Sequence, residues 1–504
     1  MQISLHRITH LSLLFSLLLF PPSSTSAQPK TLTILHTNDI HASFVPHEAF
    51  WVKQTPRPLI GGFKELSFTV DSVRRSVPDA ILLDAGDVMT GNPITELDYR
   101  GASGGALFEM MNLIGYDAWC IGNHDFDISQ ENLLKLSRIA HFPTLSANVV
   151  NGEGAFPVGN RPYTVIARAG LRIGVLGVTS QMLYNLVNQS SLTGIKVLSP
   201  IETVKRFVDT LKSAADIIVA LTHQGFEDDS SLAANITGVD VIVGGHSHTR
   251  LDSPRVVNGI IIVQTGSNCE NLGVLNLTVE RHNVTAFKGR LIPLWARTER
   301  PATELTHFVD SVQSRIDEEY RAVVATLTKD WVRSNGGESN IGDFVAEAQR
   351  DAAGAEIAFM NTHGIRANVP AGPFTKRQLF EVLPFRNILA AFQLSGREIR
   401  SILQYFIDRK PAVQTSGIKC RWRKRPDGTG EIVSIEINGK PLSDTRMYVC
   451  AASDYLVGEA KRYLGVELRQ VIYLKKTVFA AVEEEARKQK VITSTIENRI
   501  EEVK

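Results

Sequence analysis

Short apolar runs that end at glycine and polar residues recur through the first half of the chain. Runs of this length predict buried strands. Between them, segments 104–114 and 201–213 carry apolar residues at helical spacing, as the crossovers of a parallel sheet do. The pattern therefore predicts an α/β fold. The predicted strands are 32–35, 80–83, 118–121, 171–178, 217–221 and 239–243.

Polar side chains follow five of these predicted strands. Parallel strands deliver the loops after their carboxyl ends to one edge of a sheet, where α/β proteins build their sites. Asp39 and His41 stand two residues apart and share one side of an extended chain. Gly244 and Gly245 allow a sharp turn just before a histidine pair. The polar set comprises Asp39, His41, Asp87, Asn123, His124, His223, His246 and His248.

This set has the chemistry of a metal site. It combines carboxylates, an amide oxygen and imidazoles without a thiolate, which suits Zn²⁺, Mn²⁺ or Fe better than Ca²⁺ or a structural zinc site. The set offers more ligands than one cation uses, and two neighbouring cations need a shared carboxylate. Asp87 is central in chain order and is our candidate for the bridge.

The second half of the chain has a different pattern. Helical spacing over 302–324 predicts a connecting helix, and a further helix is expected to begin at Ser339 or Asn340, either of which could cap it. A predicted strand at 356–360 leads into the loop Asn361–Arg366.

Length and charge limit the classes of protein that remain. A chain of 504 residues is too long for one core and suits two or three domains. The formal net charge of +1 gives no electrostatic argument for a nucleic-acid partner or an anionic membrane. The sequence does not specify an oligomeric state.

The first 27 residues have the pattern of a signal peptide. An apolar run at 11–20 is broken by Pro21 and Pro22, and small residues precede Gln28. The run is too short to cross a bilayer, and no membrane anchor is evident. We therefore expect an exported protein, periplasmic or secreted.

The cysteines do not form a zinc framework, because they are widely spaced and lack a C-x-x-C motif. In an exported protein Cys420 could pair with Cys450, and buried free thiols are an equal alternative. The cysteines are Cys120, Cys269, Cys420 and Cys450.

The motifs D-x-H, G-D, G-N-H-D, a histidine after a strand, and G-H-x-H together resemble the calcineurin-like metallophosphoesterases. The sequence segments Leu35–Asp39 and Gly122–Asp127 resemble those of the secreted 5′-nucleotidase branch. The resemblance implies a metallophosphoesterase sandwich joined by a helix to a smaller α/β C-terminal domain. The implied divisions are a signal peptide at 1–27, a catalytic domain at 28–300, a linker helix at 301–326 and a nucleotide-binding domain at 327–504.

The resemblance also implies two divalent cations, Zn²⁺ or Mn²⁺. They would generate a hydroxide that attacks phosphorus while His124, oriented by Asp127, stabilises developing charge. Asp127 could also cap a helix over 128–139, and the two roles are compatible. The implied ligand sets are Asp39, His41, Asp87 and His248 for one cation, and Asp87, Asn123, His223 and His246 for the other.

Substrate contacts are implied for the second domain. Asn361, Gly364 and Arg366 match the family's nucleotide loop, and Arg333 matches a second phosphate-side arginine or is a surface charge. Phe385 and Tyr455 match two aromatic faces for the base, although either could pack in a core.

One segment departs from the family pattern. Where the family continues Leu-x-x-Gly-Gly-Asp, this chain reads Leu-Val-Gly-Glu-Ala-Lys at 456–461, and Glu459 could take the place of the aspartate.

The implied function is an exported dimetal phosphohydrolase that releases phosphate from nucleoside 5′-monophosphates or related nucleotides. A UDP-sugar hydrolase, a 2′,3′-cyclic-nucleotide phosphodiesterase or a hydrolase of another phosphate or sulfur ester would use the same metals. A non-catalytic binding protein is a third alternative, against which the complete ligand set and His124 argue.

Overall fold

The structure is a computed structural model that describes residues 28–187, 189–299, 301–385 and 387–503, without the side chains of Gln189 and Ser190. The predicted signal peptide, 1–27, lies outside the described residues. Within them, no helix combines the length and apolar character needed to cross a membrane.

The N-terminal domain contains the first eighteen strands and six α-helices of the described chain. Its strands are β1 (Lys30–Thr37), β2 (His47–Glu48), β3 (Leu59–Ile60), β4 (Ile81–Asp84), β5 (Asp98–Tyr99), β6 (Ala102–Ser103), β7 (Ala118–Cys120), β8 (Thr144–Leu145), β9 (Val149–Asn151), β10 (Tyr163–Arg168), β11 (Leu171–Thr179), β12 (Ile195–Val197), β13 (Ile217–His223), β14 (Val241–Val243), β15 (Arg255–Val257), β16 (Ile260–Val263), β17 (Asn271–Glu280) and β18 (Asn283–Pro293). Its helices are α1 (Phe63–Ser76), α2 (Gly105–Ile114), α3 (Gln130–Ile139), α4 (Leu183–Leu186), α5 (Pro200–Ala214) and α6 (Phe226–Asn235), with 3₁₀ helices at Pro93–Glu96, His124–Phe126 and Gln189–Leu192.

Helix α7 (Glu304–Tyr320) connects this domain to the C-terminal domain. The later strands are β19 (Val323–Leu327), β20 (Ile357–Asn361), β21 (Gly372–Thr375), β22 (Ile388–Ser395), β23 (Val413–Ser416), β24 (Ile418–Lys424), β25 (Gly430–Ile437), β26 (Lys440–Pro441), β27 (Met447–Ser453), β28 (Ile472–Thr477), β29 (Val491–Ile492) and β30 (Ile500–Glu502). The later helices are α8 (Asn340–Ala352), α9 (Lys376–Val382), α10 (Gly396–Arg409), α11 (Asp454–Gly458), α12 (Ala460–Leu464) and α13 (Val478–Gln489), with a 3₁₀ helix at Thr362–Gly364.

Two six-stranded sheets form the centre of the N-terminal domain. One has the order β18-β17-β1-β4-β7-β8, and the other has the order β10-β11-β13-β14-β16-β15. Strands β1, β4, β7 and β8 run parallel, as do β11, β13, β14 and β16. The predicted α/β architecture is confirmed, since these parallel strands include every one predicted from the apolar runs.

The inner faces of the two sheets pack against each other. Ile34 and Leu83 of the first sheet share a fully buried cluster with Val219 and Val243 of the second. Full burial of each such side chain stabilises the fold by about 1.5–3 kcal/mol. Helices α1, α2, α3 and α7 cover the outside of the first sheet, while α5 and α6 cover the second. The resulting sandwich brings the loops after β1, β4, β7, β13 and β14 to one edge.

The C-terminal domain is a smaller α/β unit. Its largest sheet has the order β23-β20-β27-β22-β28, and helix α8 contributes to a buried cluster with α13. Ser339, one of the two expected caps, accepts a hydrogen bond from the Gly342 backbone N–H at 3.2 Å, which begins α8 at Asn340. This helix and the following β20 position the loop at Asn361–Arg366.

Two local predictions differ from the structure. Helix α7 ends at Tyr320, and the last residues of the predicted 302–324 helix belong to β19, which pairs with β21 and β29. Ser129 caps α3 by accepting a hydrogen bond from Asn132, so Asp127 is not the cap of that helix. In the first case strand pairing outweighs the helical spacing, and in the second a serine nearer to the helix takes the capping position.

The cysteines are free thiols in the structure. All four are buried, and Cys420 and Cys450 lie in one apolar cluster without a disulfide. The free-thiol alternative therefore describes this pair.

Candidate active site

Most of the predicted ligands stand in loops with unusual backbone conformations. Asp39, His41, Asp87, His246 and His248 have positive φ angles between 49° and 80°. This left-handed region is uncommon for residues other than glycine, and each such residue costs on the order of 1–3 kcal/mol. The packing of the two sheets imposes these conformations, and they turn the side chains towards one another.

One group of candidate ligands comprises Asp39, His41 and His248. Their ligand atoms all lie within 4.8 Å of one another. The Nε2 atom of His248 is 3.3 Å from Asp39 Oδ1 and 3.0 Å from His41 Nε2. Asp39 Oδ2 accepts hydrogen bonds from Asn38 Nδ2 and the His246 backbone N–H, which leaves Oδ1 directed at the histidines.

A second group comprises Asp87, His223 and His246, again within 4.8 Å. His223 Nδ1 lies 2.7 Å from the Ala85 carbonyl, to which it can donate, and Nε2 then faces Asp87 Oδ2 at 3.1 Å. Asp87 Oδ2 is also 3.9 Å from Nε2 of His41, a member of the first group. Asp87 therefore lies between the two groups, the position that a bridging carboxylate requires.

Buried polar atoms without hydrogen bonds converge here. An unsatisfied buried polar atom costs about 1–3 kcal/mol, so such atoms are rare unless something binds them. The oxygen and nitrogen donors fit divalent cations of the zinc and manganese type. The atoms of this kind among the candidate ligands of the described chain include Asp39 Oδ1, Asn123 Oδ1, His223 Nε2 and His246 Nδ1.

The electrostatics of the cluster also suit cations. Burial raises the pKa of the Asp39 carboxyl, but the imidazoles of His248 and His223 outweigh it and hold that pKa below its ordinary value. Burial lowers the pKa of His223, yet the carboxylates of Asp87 and Asp39 raise it to about 10. Burial lowers the pKa of His246 to about 4. The carboxylates thus create a buried negative field that stabilises positive charge.

His124 and Asp127 form a pair beside the two groups. His124 Nδ1 is 2.8 Å from Asp127 Oδ2. The His124 ring lies 5.3 Å from that of His41 and 5.6 Å from that of Phe385, measured between centroids. Burial lowers the pKa of His124, but the carboxylates of Asp127 and Asp87 raise it above its ordinary value. This favours a positively charged imidazole at the cluster.

Two residues of the C-terminal domain reach the site. Arg366 Nη2 is 3.1 Å from His41 Nε2, although the residues are 325 positions apart. The Phe385 ring packs on His124 at an interplanar angle of 31°. The domain therefore brings a guanidinium and an aromatic face directly to the candidate ligands.

The other predicted substrate residues surround this contact. Asn361 is buried, and its Oδ1 makes no hydrogen bond to the described residues. A Cβ at Gly364 would lie only 2.6 Å from Met360 Cε, so the turn is closely packed. Arg333 is partly buried, and burial and the charge of Arg366 lower its pKa, with Glu270 opposing. These contacts argue against Arg333 as a freely exposed surface charge.

Tyr455 has a different environment from Phe385. Its hydroxyl is 3.4 Å from the Asn185 carbonyl, and its ring is 6.2 Å from that of Tyr463. The segment 456–461, which differs from the family pattern, spans the end of α11 and the start of α12, with Glu459 between the two helices. Tyr455 thus touches the N-terminal domain beside the altered segment.

Two further residues of the candidate site, Asp125 and Thr90, were not among those predicted from the sequence. Asp125, inside the G-N-H-D motif, accepts hydrogen bonds from the backbone N–H groups of Asp87, Val88, Met89 and Gly122 at 2.8–3.1 Å. Burial and the charge of Asp87 raise the pKa of Asp125 to about 7. The position of Asp125 inside the G-N-H-D motif could have identified it from the sequence. Thr90, which donates to Asp127, belongs to no motif quoted above.

Comparison with known families supports this geometry. A model of the calcineurin-like phosphoesterases matches residues 32–250, and a model of the 5′-nucleotidase C-terminal domain matches residues 323–465. A calcineurin-like phosphoesterase fold implies a site for two metals, and the two ligand groups described above are consistent with it.

Individual relatives cover most of the chain. The protein UshA of Yersinia enterocolitica is 28% identical over 485 residues, spanning 84% of this chain and 84% of the relative. A 5′-nucleotidase of Diplobatis ommata is 29% identical over 528 residues, spanning 94% of this chain and 90% of the relative.

Solved structures extend the similarity to the whole fold. The 5′-nucleotidase precursor of Thermus thermophilus has a TM-score of 0.82 at 27% identity, covering 94% of this chain and 99% of that one. The sulfate thiohydrolase SoxB of Thermus thermophilus has a TM-score of 0.79 at 18% identity, covering 94% and 96%, which is a similarity of fold.

Proposed function

We propose that this chain, which belongs to the 5′-nucleotidase family of calcineurin-like phosphoesterases, releases phosphate from nucleoside 5′-monophosphates or related nucleotides. Family membership makes it a metal-dependent phosphoester hydrolase. The observation that carries the substrate proposal is the position of Arg366, 3.1 Å from a candidate ligand. A guanidinium there can bind the phosphate that the cations activate.

The proposed ligand sets share Asp87. Two divalent cations held by these residues, Zn²⁺ or Mn²⁺, would polarise the phosphoryl group and lower the pKa of an attacking water molecule. The protein's part is to hold carboxylate, amide and imidazole atoms in fixed positions before substrate arrives. The sets are Asp39, His41, Asp87 and His248 for one cation, and Asp87, Asn123, His223 and His246 for the other.

His124 and Asp127 are the proposed catalytic pair. The carboxylate of Asp127 accepts from Nδ1, which fixes the ring and leaves Nε2 for the substrate. A cationic imidazole at that place stabilises negative charge on the phosphoryl group or the leaving oxygen. Arg366 adds a second positive charge on the side of the C-terminal domain.

The remaining contacts would bind the rest of the nucleotide. Asn361 and Gly364 would present a polar side chain and a close backbone, with Arg333 adding positive charge beside Arg366. Phe385 and Tyr455 would supply aromatic surface for the base.

Export and domain limits complete the proposal. The signal-peptide pattern supports cleavage before Gln28 and a periplasmic or secreted enzyme. The proposed units are a catalytic domain at 28–300, a linker at 301–326 that contains helix α7, and a nucleotide-binding domain at 327–504. Sequencing the amino terminus of the exported protein tests the cleavage site, and a start other than Gln28 would contradict it.

A related ester is the second candidate, because the segment 456–461 departs from the family pattern beside Tyr455. That change alters the surface available to the nucleoside and leaves the ligand groups intact. A UDP-sugar, a 2′,3′-cyclic nucleotide or another phosphate or sulfur ester would use the same metals.

The test is phosphate release by the purified protein loaded with Mn²⁺ or Zn²⁺. AMP, UDP-glucose, cyclic AMP and an aryl phosphate form the substrate panel. Release from AMP, abolished by His124→Gln and kept by the control His282→Gln on an exposed histidine, supports the proposal. Intact AMP together with hydrolysis of the aryl phosphate would defeat the nucleotide half of it.

A further inference from the structure

We propose that Thr90 is a positioning residue, which acts through Asp127 to orient the imidazole of His124. This inference rests on the proposed role of the His124 and Asp127 pair. It adds to that pair a third residue from a different loop.

The geometry is a short chain of hydrogen bonds. The Thr90 hydroxyl donates to Asp127 Oδ2 at 2.6 Å, and His124 Nδ1 lies 2.8 Å from the same oxygen. A hydroxyl that donates to a carboxylate makes a strong, directional bond. Because both donors meet at Oδ2, the Thr90 bond fixes the rotation of the carboxyl group that the imidazole depends on.

The loop around Thr90 holds this contact in an unfavourable backbone conformation. Thr90 is buried and has a φ of 69°, a conformation that is unfavourable for a β-branched residue. Its neighbour Gly91 is so close to His41 that an added Cβ would lie 2.3 Å from the His41 carbonyl oxygen. The same loop begins at Asp87, the proposed bridging ligand. A strained threonine is therefore held between the ligands and the catalytic pair.

A purely structural role would not require this partner. Thr95, a buried threonine a few residues away, donates instead to the Asn92 backbone carbonyl at 2.9 Å and helps to close its own turn. The Thr90 hydroxyl reaches across to a carboxylate that follows a different strand and is 37 residues away in sequence. The Thr90 bond thus links two loops at the point where the His124 ring is held.

The test compares three variants of the full metal-loaded protein. Thr90→Val removes the hydroxyl and keeps the branched shape, so the backbone strain is unchanged. Thr90→Ser keeps the hydroxyl and loses only the methyl group. Thr95→Val is the matched control, because it removes a buried threonine hydroxyl that does not touch the pair. Metal content and Tm verify that each variant is folded and loaded.

We expect Thr90→Val to lower kcat for AMP, or for the best substrate of the panel, about tenfold, the effect of one lost orienting hydrogen bond. KM and metal content should stay unchanged, and Thr90→Ser and Thr95→Val should resemble the parent. In an Asp127→Asn background, Thr90→Val should have little further effect, because both act through one group.

Three results would overturn the inference. An unchanged kcat in Thr90→Val, with His124→Gln still inactive, would defeat the positioning role and leave the proposed function standing. Loss of metal in Thr90→Val would show that Thr90 supports the loop of Asp87, and an equal fall of kcat in Thr90→Ser would show that Thr90 acts through packing. Full activity of His124→Gln would remove the proposed catalytic pair itself, and the role of Thr90 with it.

Discussion

Each domain buries a cluster of charged side chains, and the two clusters are completed differently. In the C-terminal domain, Arg499 is 5% exposed, and its guanidinium contacts three carboxyl groups and two backbone carbonyls. In the N-terminal domain, carboxylates and imidazoles surround a point where several polar atoms lack hydrogen bonds. The contacts of Arg499 are Asp343 at 3.4 Å, Glu497 at 3.0 Å and Glu347.

This is the difference we expect between a structural cluster and a metal site. Arg499 carries a permanent positive charge, so the fold itself supplies the partner of these carboxyl groups. In the N-terminal cluster, several buried polar atoms make no hydrogen bond to the described residues. The proposed function assigns these atoms to divalent cations.

Substitution of Asp87 should have the largest effect. Its Oδ2 atom lies beside histidines of both ligand groups. Asp87→Asn should lower kcat by about 10³-fold or more, because the site loses the negative charge and the carboxylate that both cations would share. Phosphate release and metal analysis measure the effect. The matched control, Asp343→Asn, changes a buried carboxyl in the other cluster and should keep activity and metal. Loss of activity in this control would contradict the assignment of different roles to the two clusters.

Substitution of Arg499 should mainly affect stability. Arg499→Met leaves several carboxylates without their buried partner and should lower the free energy of unfolding by about 3–5 kcal/mol. Activity per folded molecule should persist at low temperature. Arg425→Met, at an exposed ion pair with Glu431, is the control and should change stability by less than about 1 kcal/mol. Chemical denaturation measures both, and equal effects would contradict the buried role of Arg499.

Metal removal should act on the N-terminal cluster alone. Chelation should abolish activity, and Mn²⁺ or Zn²⁺ should restore it. Metal at a hundred times its dissociation constant should stabilise the protein by about 2.7 kcal/mol. This appears as a rise in Tm that Asp87→Asn weakens and Arg499→Met retains. A rise of the same size in Asp87→Asn would place the stabilising metal elsewhere.

The smallest effect, counted per pH unit, concerns pH. Burial raises the pKa of Asp343 from 3.8 to about 8, with Arg499 opposing and Glu338 adding to the rise. The folded state then keeps a proton that the unfolded state loses, so stability falls as pH rises from about 4 to 8, by at most about 1.4 kcal/mol per pH unit. Asp343→Asn removes this slope. Its Tm relative to the parent should rise across that range, and a constant difference would contradict the shift.

The sequence predicted the strands that lead into the candidate site better than the ends of nearby helices. Strands β1, β4, β7, β13 and β14 were identified because each is an apolar run that ends at polar residues. The end of α7 was wrong, since Val323 and Val324 continue a helical spacing but belong to a strand that pairs with β21 and β29. The cap at Ser129 was missed because Asp127 is an equally good capping residue in isolation. Pairing with distant strands decided the end of α7, whereas two equally good capping residues two positions apart could not be distinguished from the sequence.

The sequence by itself determined the ligand types, their places after strands and the two-domain fold, because periodicity and residue chemistry are local properties. Only the tertiary structure decided that Asp87 lies between the two histidine groups and that Arg366 reaches His41 across 325 residues. It also decided the left-handed turns at the ligands and the bond from Thr90 to Asp127. The reason is that these features exist only when packed sheets hold separate loops at one edge, at a conformational cost that no isolated segment would bear.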